Sequence, residues 1–371
     1  MNTETIDSSQ NHFDHICQEI SKSLEAIYAF QRRFLPFEIA SLRKDLLSFK
    51  ESLKKATHEL KRKATPIDQN ETKDIIETAA NLVLQTLEII LTASASDFQN
   101  TMIQVMKAFR KICRAQENLY IIRSFSIHLN QFFLEPPVYN QLDSLDLTPG
   151  QKIQTGLIHE GVEDNYYARG AMSMYVPESY DGVTPLPLVV CLHGGFGHGR
   201  DFIWAWLREA RSRKFILLSP TSLDTTWSLL NPKLDGTSLY KMLDHVKSNW
   251  RVDPNRILLT GISDGGTFAL LYSLQQNSPF TAFAPIASTL PPMDISNAKN
   301  KRILWTHGAL DWMFPVDIAK GAYEMLKMAD ADITLRVVDD LSHTYPRDEN
   351  DGILKWFDPG LALPNHNTVN G

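Results

Sequence analysis

Apolar residues recur at three- and four-residue steps through the first third of the chain and in short consecutive runs after it. That change of period predicts two kinds of structure. In the first part, Ile16, Ile20, Leu24, Ile27 and Phe30 mark a helix over about 13–34. A second amphipathic stretch covers about 37–63 and stops before Pro66, because proline disfavours helical backbone in the residue before it. A third opens near Asn70, where Asn-Glu-Thr-Lys-Asp resembles an N-terminal cap, and runs to about residue 92. A fourth covers about 96–123, with Met102, Val105, Met106, Phe109 and Ile112 on one face. Four helices joined by short connections predict an antiparallel bundle.

From Pro136 the texture is β-rich and punctuated by Gly and Pro. Strands are expected at 156–160, 171–176, 188–192, 215–219, 257–261, 283–287, 303–306 and 333–338. Helical patterns separate most of the later ones, at about 201–213, 237–250, 265–276 and 316–329. Strands alternating with helices of this length make βαβ units and a mostly parallel sheet, opened here by an antiparallel pair. The expected fold class is therefore α/β, an eight-stranded mostly parallel sheet preceded by an all-α helical bundle.

Composition places the boundary. All 18 glycines lie in the last 222 residues, the first being Gly150, and before Pro136 the only prolines are Pro36 and Pro66. A long segment without glycine needs few tight turns and reads as helical. Two domains are expected, a helical bundle over 1–135 and an α/β domain over 136–371. Residues 1–135 carry 17 basic and 17 acidic side chains, so the net charge of −6 belongs to the remainder. That balance gives no basis for general nucleic-acid binding. A basic stripe of Lys107, Arg110, Lys111 and Arg114 on the fourth helix reads as a solvated face.

Cys17, Cys113 and Cys191 are odd in number and widely spaced, which fits a reducing, cytoplasmic setting rather than a disulfide framework. The polar, acidic start shows no basic segment leading into an apolar run, so no signal peptide is expected. The most apolar stretch, 82–93, contains Gln85 and Glu88 and is short for a bilayer, so no transmembrane segment is expected either.

The chemistry gathers at strand ends. The fifth strand runs into Gly261-Ile262-Ser263-Asp264-Gly265 and then a helix, a Gly-x-Ser-x-Gly pattern at a strand-to-helix turn. Such a turn exposes the serine hydroxyl, and side chains in place of the glycines would clash with neighbouring backbone. The N–H of Asp264, at the new helix N-terminus, can point at a developing oxyanion. After the seventh strand comes Asp311, and after the eighth His343, both at the same sheet edge. Of the 11 histidines only His343 follows the last strand. Asp339 and Asp340 are alternative acids, but they end the last strand too close to His343 to orient it easily. His307 falls just before a glycine turn and reads as packed or hydrogen-bonded.

After the third strand, His193-Gly-Gly195-Phe196-Gly-His198 forms a glycine-rich turn. There the N–H of Gly195, or else of Phe196, is the second candidate oxyanion donor. A metal reading of His193, His198 and His307 lacks a cysteine or carboxylate at ligand spacing, so no metal is expected.

LPLVVCLHGGFG, GISDGGTFAL, WTHGALDWMFPV and LSHTYP, in that order, resemble the α/β-hydrolase superfamily. Within it they look like the phospholipase/carboxylesterase branch, which includes acyl-protein thioesterases and dienelactone-hydrolase-like enzymes. The resemblance covers about 154–358. It implies Ser263 as nucleophile, His343 as base and Asp311 as the acid that orients it. Asp264 stands where that branch often has glutamine, and HGGFG replaces a shorter HG turn, two departures that bear on the substrate. Residues 1–135 lie outside the resemblance.

The expected reaction is hydrolysis of a small-molecule or carrier-bound acyl ester or thioester through an acyl-enzyme, with no cofactor. Acyl transfer and peptide cleavage use the same machinery. A non-catalytic binding module would have lost the serine, the histidine or the oxyanion glycines, and all are present. Trp227, Trp312, Met313 and Phe314, with Phe196, are candidate walls of an apolar substrate pocket. The helical part has three readings: a scaffold or homodimer element, a cover for the site, or a dock for a partner or membrane through its basic helix.

Overall fold

A computed structural model of the chain describes residues 3–62, 69–93, 97–146, 153–163 and 165–363. The chain forms two compact units, Met1–Glu135 and Pro136–Gly371.

The first unit is helical: α1 (Thr3–Arg32), α2 (Ile39–Leu42), α3 (Leu46–Arg62), α4 (Asn70–Thr92), α5 (Phe98–Ile121) and α6 (Ile127–Phe132). Each long helix turns one apolar stripe inward. Phe13, Ile16, Ile20, Leu24, Ile27 and Phe30 of α1 are buried, as are Val105, Ala108, Ile112, Ala115 and Leu119 of α5. α1 packs on α3, α3 on α4, and α4 on α5. Polar ties stitch neighbours together: Ser126 Oγ donates to Asp14 at 2.7 Å and Thr86 Oγ1 to the Ala108 carbonyl at 3.1 Å.

Three expectations are corrected in this unit. The second helix is not continuous over 37–63: 3₁₀ turns at Pro36–Glu38 and Arg43–Asp45 flank the short α2 before α3 begins. Phe37 is 69% exposed and Leu47 53%, while Ile39 and Leu46 are buried, so the apolar residues here do not share one helical stripe. Met106 lies off the buried face of α5, at 49% exposure. The apolar stretch at 82–93 is the end of the longer α4, which by length and composition alone is apolar enough to cross a bilayer. In the structure α4 packs on α3 and α5 with Ile76, Ala79, Ala80, Val83, Leu87 and Ile90 buried. Within the basic stripe, Lys111 Nζ donates to Gln85 at 2.9 Å and Arg114 pairs with Glu117 at 3.8 Å.

The second unit begins with α7 (Leu142–Leu145) and builds one sheet from β1 (Gly156–Glu160), β2 (Met172–Val176), β3 (Leu186–Leu192), β4 (Ile216–Pro220), β5 (Val252–Ile262), β6 (Ala282–Ile286), β7 (Arg302–Gly308) and β8 (Asp332–Val338). The strand order is β1-β2-β4-β3-β5-β6-β7-β8. β2 is antiparallel to both β1 and β4, and every later pairing is parallel. This is the eight-stranded, mostly parallel α/β sheet expected from the sequence. The helices are α8 (Gly199–Phe202), α9 (Leu207–Arg213), α10 (Lys233–Asn249), α11 (Asp264–Ser273), α12 (Val316–Met328) and α13 (Asn350–Phe357).

Central strands buried on both faces are continuous apolar runs. Leu188, Val190 and Leu192 of β3 join a core with Leu239 and Leu243 of α10, Phe268 and Leu271 of α11 and Ala319 and Leu326 of α12. Cys191 is buried on the opposite side of the strand, near Tyr345. The helix expected over 201–213 is broken by a 3₁₀ turn at Ile203–Ala205. All of 203–207 is buried there, a run that one regular helix lying on a sheet cannot satisfy. The sequence reading missed α13, whose fully buried Asn350 donates to the Ala205 carbonyl at 2.8 Å and accepts from Tyr345 at 2.7 Å.

Candidate active site

Ser263 sits between β5 and α11 with φ 56° and ψ −121°, a backbone conformation that costs a non-glycine residue free energy. Its surroundings hold it there. Its N–H donates to the Ile286 carbonyl of β6 at 2.9 Å, and its own carbonyl accepts from Thr267 N–H at 2.9 Å. The glycines on either side are required by close backbone approach. A Cβ on Gly265 would lie 2.4 Å from the His193 carbonyl oxygen, and one on Gly261 would lie 2.6 Å from the Gly265 carbonyl carbon.

The loops after β7 and β8 bring two partners to this hydroxyl. His343 Nε2 lies 3.1 Å from Ser263 Oγ, and His343 Nδ1 lies 2.9 Å from Asp311 Oδ2 and 3.1 Å from Oδ1. Asp311 is fixed in turn: its Oδ1 accepts from Phe314 N–H at 2.7 Å and from Met313 N–H at 2.9 Å. Burial pushes the Asp311 carboxyl up. The His343 hydrogen bond and charge, with the Phe314 N–H, outweigh that and hold it below the ordinary carboxylate value. Asp339 and Asp340, the alternative acids, are exposed at the end of β8, while His343 is bonded to Asp311.

His307 is fully buried beside this pair. Its Nε2 donates to the Phe314 carbonyl at 2.8 Å and lies 3.6 Å from Asp311 Oδ2. Burial pushes its imidazole below the usual histidine value, against the raising pull of the Phe314 carbonyl and Asp311. The Asp311–Phe314 turn is thus tied down from both ends, a role that no motif in the sequence announced.

The glycine-rich turn after β3 lies against Ser263. A Cβ on Gly194 would sit 3.5 Å from Ser263 Cβ, and one on Gly195 would sit 2.9 Å from Asp264 Oδ2. Phe196, expected as an alternative donor, is corrected here: its N–H is committed to the Thr225 carbonyl at 2.7 Å, which leaves Gly195 as the turn's candidate. Phe196 adopts a left-handed φ of 58° and its side chain is 70% exposed. His193 and His198 hold the turn in place. His193 Nε2 accepts from Ser222 N–H at 3.1 Å, and His198 Nδ1 accepts from Arg200 N–H at 3.2 Å.

The expected pocket walls divide. Phe314 meets the His343 ring edge to face at 5.2 Å, and Trp312 approaches it at 6.1 Å. Met313 is 45% exposed. Trp227 is corrected: it is buried beneath the turn, packs at a tilt between the His193 and Phe268 rings, and donates its indole N–H to the His193 carbonyl at 2.7 Å. It supports the turn and forms no wall. Thr226, its neighbour, was missed by the sequence reading; its hydroxyl donates to Asp264 Oδ2 at 2.5 Å.

Residues 235–357 match the family model described as Phospholipase/Carboxylesterase. The match runs from α10 to α13, so it contains Ser263, Asp311 and His343 but stops short of the Gly194–Gly195 turn.

Among solved structures the chain is similar to a thermostable esterase at 20% identity, with 50% of this chain and 58% of that chain covered and a TM-score of 0.44. It spans somewhat over half the length of that esterase. It is also similar to SOBER1 of Arabidopsis thaliana (19% identity, 47% of this chain and 99% of that chain, TM-score 0.41). A third is esterase 2 of Thermogutta terrifontis phosphorylated by paraoxon (14% identity, 53% and 91%, TM-score 0.45). No curated protein matches the sequence.

Proposed function

We propose that this chain is a serine hydrolase that cleaves carboxylic esters or thioesters through an acyl-enzyme. The observation that carries the reading is the continuous line from Ser263 Oγ to His343 Nε2, and from His343 Nδ1 to Asp311, at 3.1 and 2.9 Å. It begins at a serine held on a strained turn.

His343 with its proton on Nδ1 donates to Asp311 and presents the Nε2 lone pair to the Ser263 hydroxyl. As Oγ attacks the acyl carbonyl, the hydroxyl proton passes to Nε2, and Asp311 stabilises the imidazolium that results. The N–H groups of Gly195 and Asp264 face the developing oxyanion. The tetrahedral intermediate collapses, the bond to the leaving oxygen or sulfur breaks, and the Nε2 proton goes to the leaving group. Water, deprotonated by the same nitrogen, then attacks the acyl-enzyme and frees the acid with Ser263 restored. His307, neutral and bonded to Phe314, keeps the acid in place and takes no proton.

The test is hydrolysis of p-nitrophenyl acyl esters from two to sixteen carbons by wild type and Ser263→Ala, with folding checked by circular dichroism. Activity in the wild type that falls about 10⁴-fold or more in the variant supports the reading. Activity retained by a folded Ser263→Ala protein refutes it.

A further inference from the structure

Asp264 brings two opposed properties to the same place. Its N–H heads α11 beside Ser263 and belongs to the proposed oxyanion pair, yet its side chain is an acid. The carboxylate is half-buried and folded against the glycine turn, with Oδ2 placed 2.9 Å from where a Cβ on Gly195 would stand. Thr226 Oγ1 donates to that oxygen. Among the described residues no lysine, arginine or histidine pairs with Asp264, and Oδ1 accepts no hydrogen bond. Arg169 reaches the far end of the turn, where it donates to the Gly197 carbonyl at 2.8 Å and to Ser222 Oγ at 3.3 Å.

A negative charge beside both backbone donors opposes the charge that builds on the carbonyl oxygen. The N-terminus of α11 offsets part of that cost. For a neutral substrate an amide side chain would keep the Thr226 bond without the penalty. An unpaired, half-buried carboxylate makes sense when the substrate carries the opposite charge, and it also repels the wrong one.

We propose that Asp264 is a specificity determinant, selecting esters or thioesters that carry an amine or quaternary ammonium group near the scissile carbonyl and rejecting those that carry a carboxylate or phosphate there. The inference rests on the hydrolase reading above.

The experiment compares kcat/KM of the full chain for matched p-nitrophenyl esters with neutral, trimethylammonium-bearing and carboxylate-bearing acyl groups. A second arm compares acetylthiocholine with a neutral thioacetate, which separates a cation on the acyl side from one on the leaving side. Wild type is expected to favour the cationic member of one arm by roughly tenfold over the neutral one, the effect of one partly screened charge pair. Asp264→Asn is expected to erase that ratio, read within the variant as kcat/KM for the cationic ester over that for the neutral one, and Asp264→Glu to keep it.

A wild-type enzyme that treats cationic and neutral substrates alike in both arms overturns the inference without any variant. So does a cationic-to-neutral ratio unchanged in Asp264→Asn; the carboxylate then serves only as the acceptor of the Thr226 hydroxyl. Either result with Ser263-dependent activity leaves the hydrolase reading standing. Activity that survives Ser263→Ala overturns both.

Discussion

Asp311→Asn is nearly isosteric, and the structure says why it should still disable the site. Oδ1 accepts two backbone N–H groups, from Met313 and Phe314, while Oδ2 faces His343 Nδ1 at 2.9 Å. An asparagine keeps both backbone bonds only with its oxygen at the Oδ1 position, which puts its NH₂ against Nδ1. Two donors cannot face each other, so the imidazole moves its proton to Nε2. That nitrogen then presents N–H to Ser263 Oγ and cannot take the serine proton. A triad locked in the wrong tautomer loses about 10⁴ in turnover, equivalent to about 5 kcal/mol of transition-state stabilisation. The assay is kcat for p-nitrophenyl butyrate beside the melting temperature, which should stay within a few degrees of wild type because packing is unchanged. A loss smaller than tenfold, or an equal loss in Asp339→Asn or Asp340→Asn, would refute the argument.

Other substitutions and conditions test separate parts of the account. Gly265→Ala places a Cβ 2.4 Å from the His193 carbonyl and 2.5 Å from the Leu192 carbonyl, so relief must shift the turn that carries Gly195. Stability should fall by about 1–3 kcal/mol and kcat by about 100-fold, and wild-type values in urea titration and ester assays would contradict this. Burial lowers the His307 imidazole from 6.5, so the unfolded chain binds that proton more tightly than the folded one. Unfolding free energy should therefore fall as pH drops below 6.5, approaching about 1.4 kcal/mol per unit, with Asp311 adding its share only below 3.8. His307→Gln should flatten the slope above pH 4.5, about where Asp311 is not yet involved, and an unchanged slope would sink the assignment. Cys17 and Cys191 are buried, with thiols pushed up to about 12, whereas Cys113 is only half-buried. Ellman's reagent at neutral pH should find one reactive thiol in the native protein and all three cysteines in guanidinium; two or three fast native thiols would contradict the buried placements.

The strands were legible because a parallel sheet buried on both faces leaves apolar runs such as Leu188–Leu192 that need no partner to be recognised. Most observed boundaries fall within a residue or two of those runs. β5 is longer at its start because Val252 pairs with Leu186 across a register shift, and a stretch containing Asp253, Pro254 and Asn255 does not read as strand. α13 escaped notice because it is short, contains Gly352 and depends on a buried Asn350 whose partners, Ala205 and Glu209, are distant in sequence.

Within the site, the serine turn, Asp311 and His343 each sit at a strand end, where local pattern suffices to propose them. What holds them was not legible. Nothing in the sequence marks the Thr225 carbonyl as the acceptor that removes Phe196 from the donors, or His193 as the group that draws Trp227 into the core. These are contacts between loops after different strands, and their pairing exists only once the sheet has formed.

The central claim is that Ser263 is the nucleophile, and covalent labelling addresses it most directly. The full chain would be incubated with a fluorophosphonate, digested, and mapped by mass spectrometry, with Ser263→Ala and His343→Ala treated alongside. The account predicts a single phosphonylated peptide containing Ser263, formed in step with loss of esterase activity. Labelling should be absent in Ser263→Ala and strongly slowed in His343→Ala. A label on another residue, or none while ester hydrolysis continues, would contradict it.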